Sequence, residues 1–122
     1  MSKILVVDDD PDVVEALTAF LERAGHTVKS ANTRSSGMSK VSVEDPDLII
    51  LDVMMEEPDD GIAMALELRK NGFKKPILML TSIARVTGLS YGADPATLPV
   101  DDFVDKPVAP AVLLEKVAAL LK

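Results

Sequence analysis

The chain has no cysteine, no tryptophan and only one histidine, His26. Without cysteine there is no disulfide, no thiolate nucleophile and no Cys-based metal site. One histidine cannot build the imidazole clusters of zinc or iron sites. Also missing is any apolar run approaching the roughly 18 residues of a membrane span, and Met1-Ser2-Lys3 leads into a short strand-like run rather than a signal peptide. A soluble, cytoplasmic protein without a membrane partner is expected. Basic charge is scarce as well: 13 Lys and Arg stand against 20 Asp and Glu, a net charge of −7, with no local basic cluster. Phosphate backbones call for a basic surface, so direct nucleic-acid binding is not expected.

What is present fits one globular unit. The 122 residues are 48% apolar and 27% charged, enough for one core and too few for two, so a single domain over 1–122 is expected. Leu48 to Leu51 run unbroken into Asp52 after Pro46, as a strand covered on both faces does. Ile4 to Val7 form a similar run ending in Asp8-Asp9-Asp10, and Pro11 then stands at a first helical position with Asp10 as its cap. From Val13 to Ala24 apolar residues recur at three- and four-residue spacing until Gly25 stops the helix. His26 to Ala31 alternates in character and reads as a strand nearer an edge. Asn32 to Val43, rich in Ser and carrying Gly37, is a weak helix on propensity alone. The polar stretch Met55 to Gly61 leads into a helix through Ile62, Ala65 and Leu68 that Asn71-Gly72 closes. Pro76 opens a buried strand, Ile77 to Leu80, ending at Thr81-Ser82. Gly and Pro break the segment from Ile83 to Val100, with a short helix expected within Ile83 to Tyr91. Val100 to Asp105 reads as a last strand leading to Lys106-Pro107, and Pro110 starts a last amphipathic helix. Five repeats of strand then helix predict an α/β, doubly wound architecture, a parallel sheet with helices on both faces.

The chemistry gathers at one edge of that sheet. Asp8 and Asp9 follow the first strand, Asp52 ends the third, Thr81 the fourth and Lys106 the fifth, and open α/β sheets bind ligands at these carboxyl ends. Carboxylates brought together repel and call for a cation or for protonation. A hard divalent ion such as Mg²⁺ answers this with one or two carboxylates and a phosphate oxygen as ligands. A carboxylate nucleophile, a hydroxyl and an ammonium group complete the parts that phosphoryl transfer to an aspartate requires. Asp59-Asp60 and Asp101-Asp102 read as solvated turn charges, His26 as inert, and Met54, Met55, Met64 and Met79 as packing residues.

Ile4-Leu5-Val6-Val7-Asp8-Asp9, Leu51-Asp52-Val53-Met54-Met55, Leu80-Thr81-Ser82 and Phe103-Val104-Asp105-Lys106-Pro107, in this order, resemble the receiver domain of the response-regulator family of two-component signalling. The resemblance covers essentially the whole chain. It implies a flavodoxin-like (βα)5 fold with a five-stranded sheet of order 2-1-3-4-5. It further implies that Asp52 is the phosphoacceptor, that Asp9 binds Mg²⁺ directly and Asp8 through water, and that Met54 lends its backbone carbonyl. Thr81 and Lys106 match the phosphate-contacting pair, Thr81 and Phe103 the switch residues, and the bond from Lys106 to Pro107 the family's cis peptide. The implied donor is a phosphohistidine on a sensor histidine kinase or phosphotransfer protein. The implied output is a downstream protein that reads the face of the fourth helix, fifth strand and fifth helix, the chain being a monomer or a phosphorylation-dependent dimer. Such a protein is no enzyme beyond catalysing its own phosphorylation and dephosphorylation.

Because the sequence stops after the fifth helix, the expectation is a stand-alone regulator without a DNA-binding effector or else one domain of a longer chain, which the sequence leaves open. Three departures mark the chain: Glu56-Glu57-Pro58 in a loop about one residue longer than usual, Ser82 where Ala or Gly is common, and the broken segment from Ile83 to Val100. The first and the last of these motivate a rival reading, a receiver fold kept as a non-switching interaction module. A further rival, a Mg²⁺-dependent hydrolase with an aspartyl-phosphate intermediate, calls for a second acid two residues past the nucleophile, where this chain has Met54.

Overall fold

The computed structural model describes residues 2–52, 60–82, 100–106 and 108–121, with Asp60, Thr81, Ser82, Asp105 and Lys106 described by their backbone alone. Its elements, in chain order, are β1 (Lys3–Val7), α1 (Pro11–Arg23), β2 (Thr27–Ala31), α2 (Arg34–Glu44), β3 (Leu48–Asp52), α3 (Asp60–Lys70), β4 (Ile77–Ser82), β5 (Asp102–Lys106) and a C-terminal helix, Pro110–Leu120. All strand pairs are parallel, in the order β2-β1-β3-β4-β5. This is the flavodoxin-like, doubly wound sheet expected from the sequence. None of the described helices is long and apolar enough to cross a membrane.

The period-two side-chain alternation of a strand divides the core into two layers. Leu5, Val7, Ile49 and Leu51 face Met64, Ala65 and Leu68 of α3. Ile4, Val6, Leu48 and Ile50 face Leu17 and Leu21 of α1 and Leu113 and Val117 of the C-terminal helix. Every residue of β3 is buried, which is why its sequence is an unbroken apolar run rather than an alternation. In β2 Thr27 and Lys29 are exposed and Ala31 is buried, the pattern of an edge strand.

Local chemistry sets the helix ends. Asp10 caps α1 by accepting a hydrogen bond from the Asp12 N–H, Pro11 follows it, and Gly25 turns the chain with φ of 98°. Thr33 caps α2 by accepting from the Ser36 N–H. The serine-rich helix is then held by packing, because Gly37 lets it lie directly on β1 and α3. A Cβ at Gly37 would stand 3.0 Å from Met64 Cε and 3.1 Å from Val7 Cγ1. Past the end of α2, Asp45 adopts left-handed geometry, φ 49° and ψ 62°. An L side chain there costs of the order of 1 kcal/mol that glycine avoids, offset in part by the greater freedom of glycine in the unfolded chain. Asp45→Gly is therefore expected to raise the unfolding free energy by up to about 1 kcal/mol, read as a higher urea midpoint at unchanged slope.

Two expectations need correction at the amino edge of β5. The strand begins at Asp102 rather than Val100 and includes Lys106. Asp101 is exposed at a bend, as expected, but neither it nor Asp102, which lies in β5, is merely solvated. Asp101 Oδ2 accepts from the Ile77 N–H and from Arg69 Nη2, each at 2.8 Å. Arg69 also donates to the carbonyls of Phe73 and Lys75 at 2.9 and 2.8 Å, so one guanidinium ties the end of α3 to the starts of β4 and β5. Asp102 pairs with Lys116 at 3.0 Å. The physical reason is that a parallel strand's first N–H groups need acceptors, and an acid placed beside them attracts a cation from a neighbouring helix.

His26 accepts at Nδ1 from the Ser2 N–H at 3.3 Å, and burial first, then the amino-terminal positive charge, hold its pKa below the ordinary value. Met64 and Met79 are core residues, as expected. Met54, Met55, the Glu56-Glu57-Pro58 loop, Asp59, the helix expected within Ile83 to Tyr91, and Pro107 lie outside the described residues.

Candidate functional site

Strand register builds the site. Val7, the last residue of β1, lies between Ala31 of β2 and Leu51 of β3, so Asp8 and Asp52 leave adjacent strands at the same level. The Asp8 N–H continues the ladder for one more step by donating to the Ala31 carbonyl at 3.1 Å. Asp8 Oδ1 accepts from the Asp10 N–H at 2.9 Å, an Asx turn that bends the chain from β1 into α1 and fixes the first carboxylate. The Asp8-Asp9-Asp10 run thus divides its work: Asp8 and Asp10 shape the turn, and Asp9 projects between them, exposed.

One carboxylate oxygen from each of Asp8, Asp9 and Asp52 lies within 4.8 Å of the others. Asp8 is 1% and Asp52 5% exposed, so two of the three charges are largely cut off from water. At such separations, and away from bulk solvent, like charges cost several kcal/mol unless something neutralises them. The donors are all oxygen, a set that suits Mg²⁺, Ca²⁺ or Mn²⁺ and not a soft metal. The cluster therefore fits a hard divalent cation.

The other residues singled out in the sequence are brought to the same edge by backbone register. Leu80 pairs with Asp52, Thr81 is the next residue along β4 and pairs with Asp105, and Ser82 pairs with Lys106. Thr81 and Lys106 therefore stand on the two strands beyond Asp52, Thr81 one step and Lys106 two steps past its level. Phe103, opposite Met79 on β5, is half-buried against the layer that contains Leu5 and Met79. Met54 and Pro107 lie outside the described residues.

A neighbouring feature was not foreseen. A cleft of about 580 Å³ opens beside Asp8 and Asp9, between Val14 and Glu15 of α1, Ser30 at the end of β2, and Ser36 and Lys40 of α2. Ser36 and Lys40 are four apart and share one face of α2. That spacing was visible in the sequence, but not that the face meets α1 across the end of β2.

A five-stranded 2-1-3-4-5 sheet with an aspartate cluster at its carboxyl edge defines a flavodoxin-like domain, and open α/β sheets bind ligands at that edge. The response regulator receiver domain family matches residues 4–118, and the chain belongs to that family. It is 40% identical over 124 residues to the alkaline phosphatase synthesis transcriptional regulatory protein PhoP of Bacillus subtilis, covering 98% of this chain and 48% of that protein. The chain spans about half the length of the curated relatives it matches. Among solved structures, a two-component response regulator from Clostridium difficile superposes with a TM-score of 0.84 at 27% identity, covering 99% of this chain and 96% of that one. The BeF3-activated N-terminal receiver domain of Klebsiella pneumoniae RstA superposes with a TM-score of 0.79 at 29% identity, covering 98% of each.

Proposed function

We propose that Asp52 accepts a phosphoryl group from a phosphohistidine of a sensor histidine kinase or phosphotransfer protein, in a Mg²⁺-dependent reaction within the cytoplasm. The observation that carries this reading is the carboxylate cluster: three acids at one sheet edge, two of them buried, with oxygen atoms within 4.8 Å. Asp9 and Asp52 would hold Mg²⁺ directly, with the Met54 carbonyl, and Asp8 through water. Once bound, the ion neutralises the cluster and the oxygens of the transferred group.

A carboxylate oxygen of Asp52 attacks phosphorus, and the P–N bond of the phosphohistidine breaks. Its electron pair returns to the imidazole, which takes up a proton. Lys106 supplies an ammonium and Thr81 a hydroxyl to the phosphoryl oxygens, and the product is an acyl phosphate on Asp52. Water later hydrolyses this mixed anhydride, returning the carboxylate and inorganic phosphate. The added charge biases a two-state surface around Thr81 and Phe103, the latter half-buried and so able to pack further inward. The net charge of −7 favours a protein over a nucleic acid as this domain's direct contact. A phosphorylation-dependent dimer is one form that the output can take.

Incubation with a small phosphodonor and Mg²⁺ tests the reading. The wild type is expected to gain one base-labile phosphoryl group, and none when the metal is chelated before the donor is added, and Asp52→Asn is expected to gain none. Equal uptake by the variant, or uptake indifferent to Mg²⁺, contradicts it.

A further inference from the structure

We infer that Lys40 sets the cation affinity of the carboxylate cluster, as a tethered positive charge on the opposite wall of the cleft that Asp8 and Asp9 line. This rests on the metal-binding reading above. Among the described residues the half-buried basic side chains are Lys3, Arg34, Lys40, Arg69 and Lys116. Lys3 pairs with Glu44 at 3.6 Å, Arg34 with Glu67 at 3.0 Å, Arg69 with Asp101 at 2.8 Å and Lys116 with Asp102 at 3.0 Å. Lys40 has no such partner among the described residues and instead lines the cleft. Its neighbour one turn back, Ser36, is engaged with Thr33 in the capping turn and offers it no counter-charge.

A half-buried lysine without an ion pair among the described residues is tolerated where the surrounding field favours its charge, and the cleft supplies that field. Among the described residues, Asp8, Asp9 and, from α1, Glu15 are its other charged lining groups. Because Asp8 is almost wholly buried, its field is poorly screened by salt. Lys40 therefore has two opposed effects. In the metal-free chain it offsets part of the repulsion among the acids. When a divalent cation enters, the same charge opposes it, and Glu15 favours it. The result is a cluster that stays folded without metal and releases Mg²⁺ more readily than three carboxylates alone would.

The test is calorimetric titration of the chain with Mg²⁺, alongside thermal unfolding in chelator, for wild type, Lys40→Met, Lys40→Arg and Glu15→Gln. Methionine keeps the helix propensity and the aliphatic reach of lysine, so the variant retains α2. Lys40→Met is expected to bind Mg²⁺ roughly three- to tenfold more tightly, while its metal-free form melts at a lower temperature. Lys40→Arg should match the wild type, and Glu15→Gln should bind more weakly. A purely structural lysine would not move the two readouts in opposite directions. Mg²⁺ binding by Lys40→Met that is equal to or weaker than that of a wild type that does bind overturns the inference. A wild type that takes up no Mg²⁺ overturns the metal site itself, and this inference with it.

Discussion

Gly37→Leu is expected to lower the unfolding free energy by about 3 kcal/mol, at the upper end of what overpacking a filled interior costs. The space a side chain would need is already occupied, since a Cβ alone would stand 3.0 Å from Met64 Cε and 3.1 and 3.2 Å from the two methyls of Val7. Met64 ends in a flexible thioether and can give way. Val7 cannot, because its strand is held between Ala31 and Leu51 in the middle of the sheet. The introduced leucine side chain must therefore lift α2 away from β1. Gly37→Ala is the informative control: removing glycine from a helix interior gains about 1 kcal/mol, and the close contacts offset it, so a change within about 1 kcal/mol is expected. The two variants are compared by urea unfolding. Val7 directly precedes Asp8, so the leucine variant is also expected to weaken Mg²⁺ binding, whereas the alanine variant keeps it.

The second large effect concerns the proposed metal site. Mg²⁺ at roughly 100 times its dissociation constant is expected to add about 2.7 kcal/mol to the stability of the wild type, since it binds the assembled cluster and not the unfolded chain. Asp9→Asn should lose most of that gain. Its metal-free form should be at least as stable as the metal-free wild type, because one of three mutually repelling carboxylates has become neutral and Asp9, being exposed, gives up little packing. Thermal unfolding in Mg²⁺ and in chelator measures both. An undiminished Mg²⁺ gain in Asp9→Asn would show that the ion is held elsewhere.

The fold was legible where local and global signals agree. Leu48 to Leu51 is apolar at every position because both faces of β3 are covered, and Pro11, Pro46, Pro76 and Pro110 punctuate the elements where they start. The site was legible because its acids terminate apolar runs, so that a parallel sheet alone suffices to bring Asp8, Asp9 and Asp52 to one edge. What stayed hidden depends on contacts between distant segments. Apart from its Thr33 cap, little that is local makes Arg34 to Glu44 a good helix; the fit of Gly37 onto Val7 and Met64 does, and that is a tertiary fact. Asp101 looked like a turn acid because its partner Arg69 lies 32 residues away. The cleft at Lys40 is likewise made by three elements, and no single stretch of sequence announces it.

The central claim is that Asp52 is the residue that takes the phosphoryl group. The most direct measurement is to phosphorylate the chain with a small phosphodonor in Mg²⁺, reduce the acyl phosphate with borohydride and map the modified residue by peptide mass. A single reduced position is expected, Asp52, absent when Mg²⁺ is chelated. Modification at Asp8 or Asp9 instead, or none at any aspartate, would contradict it.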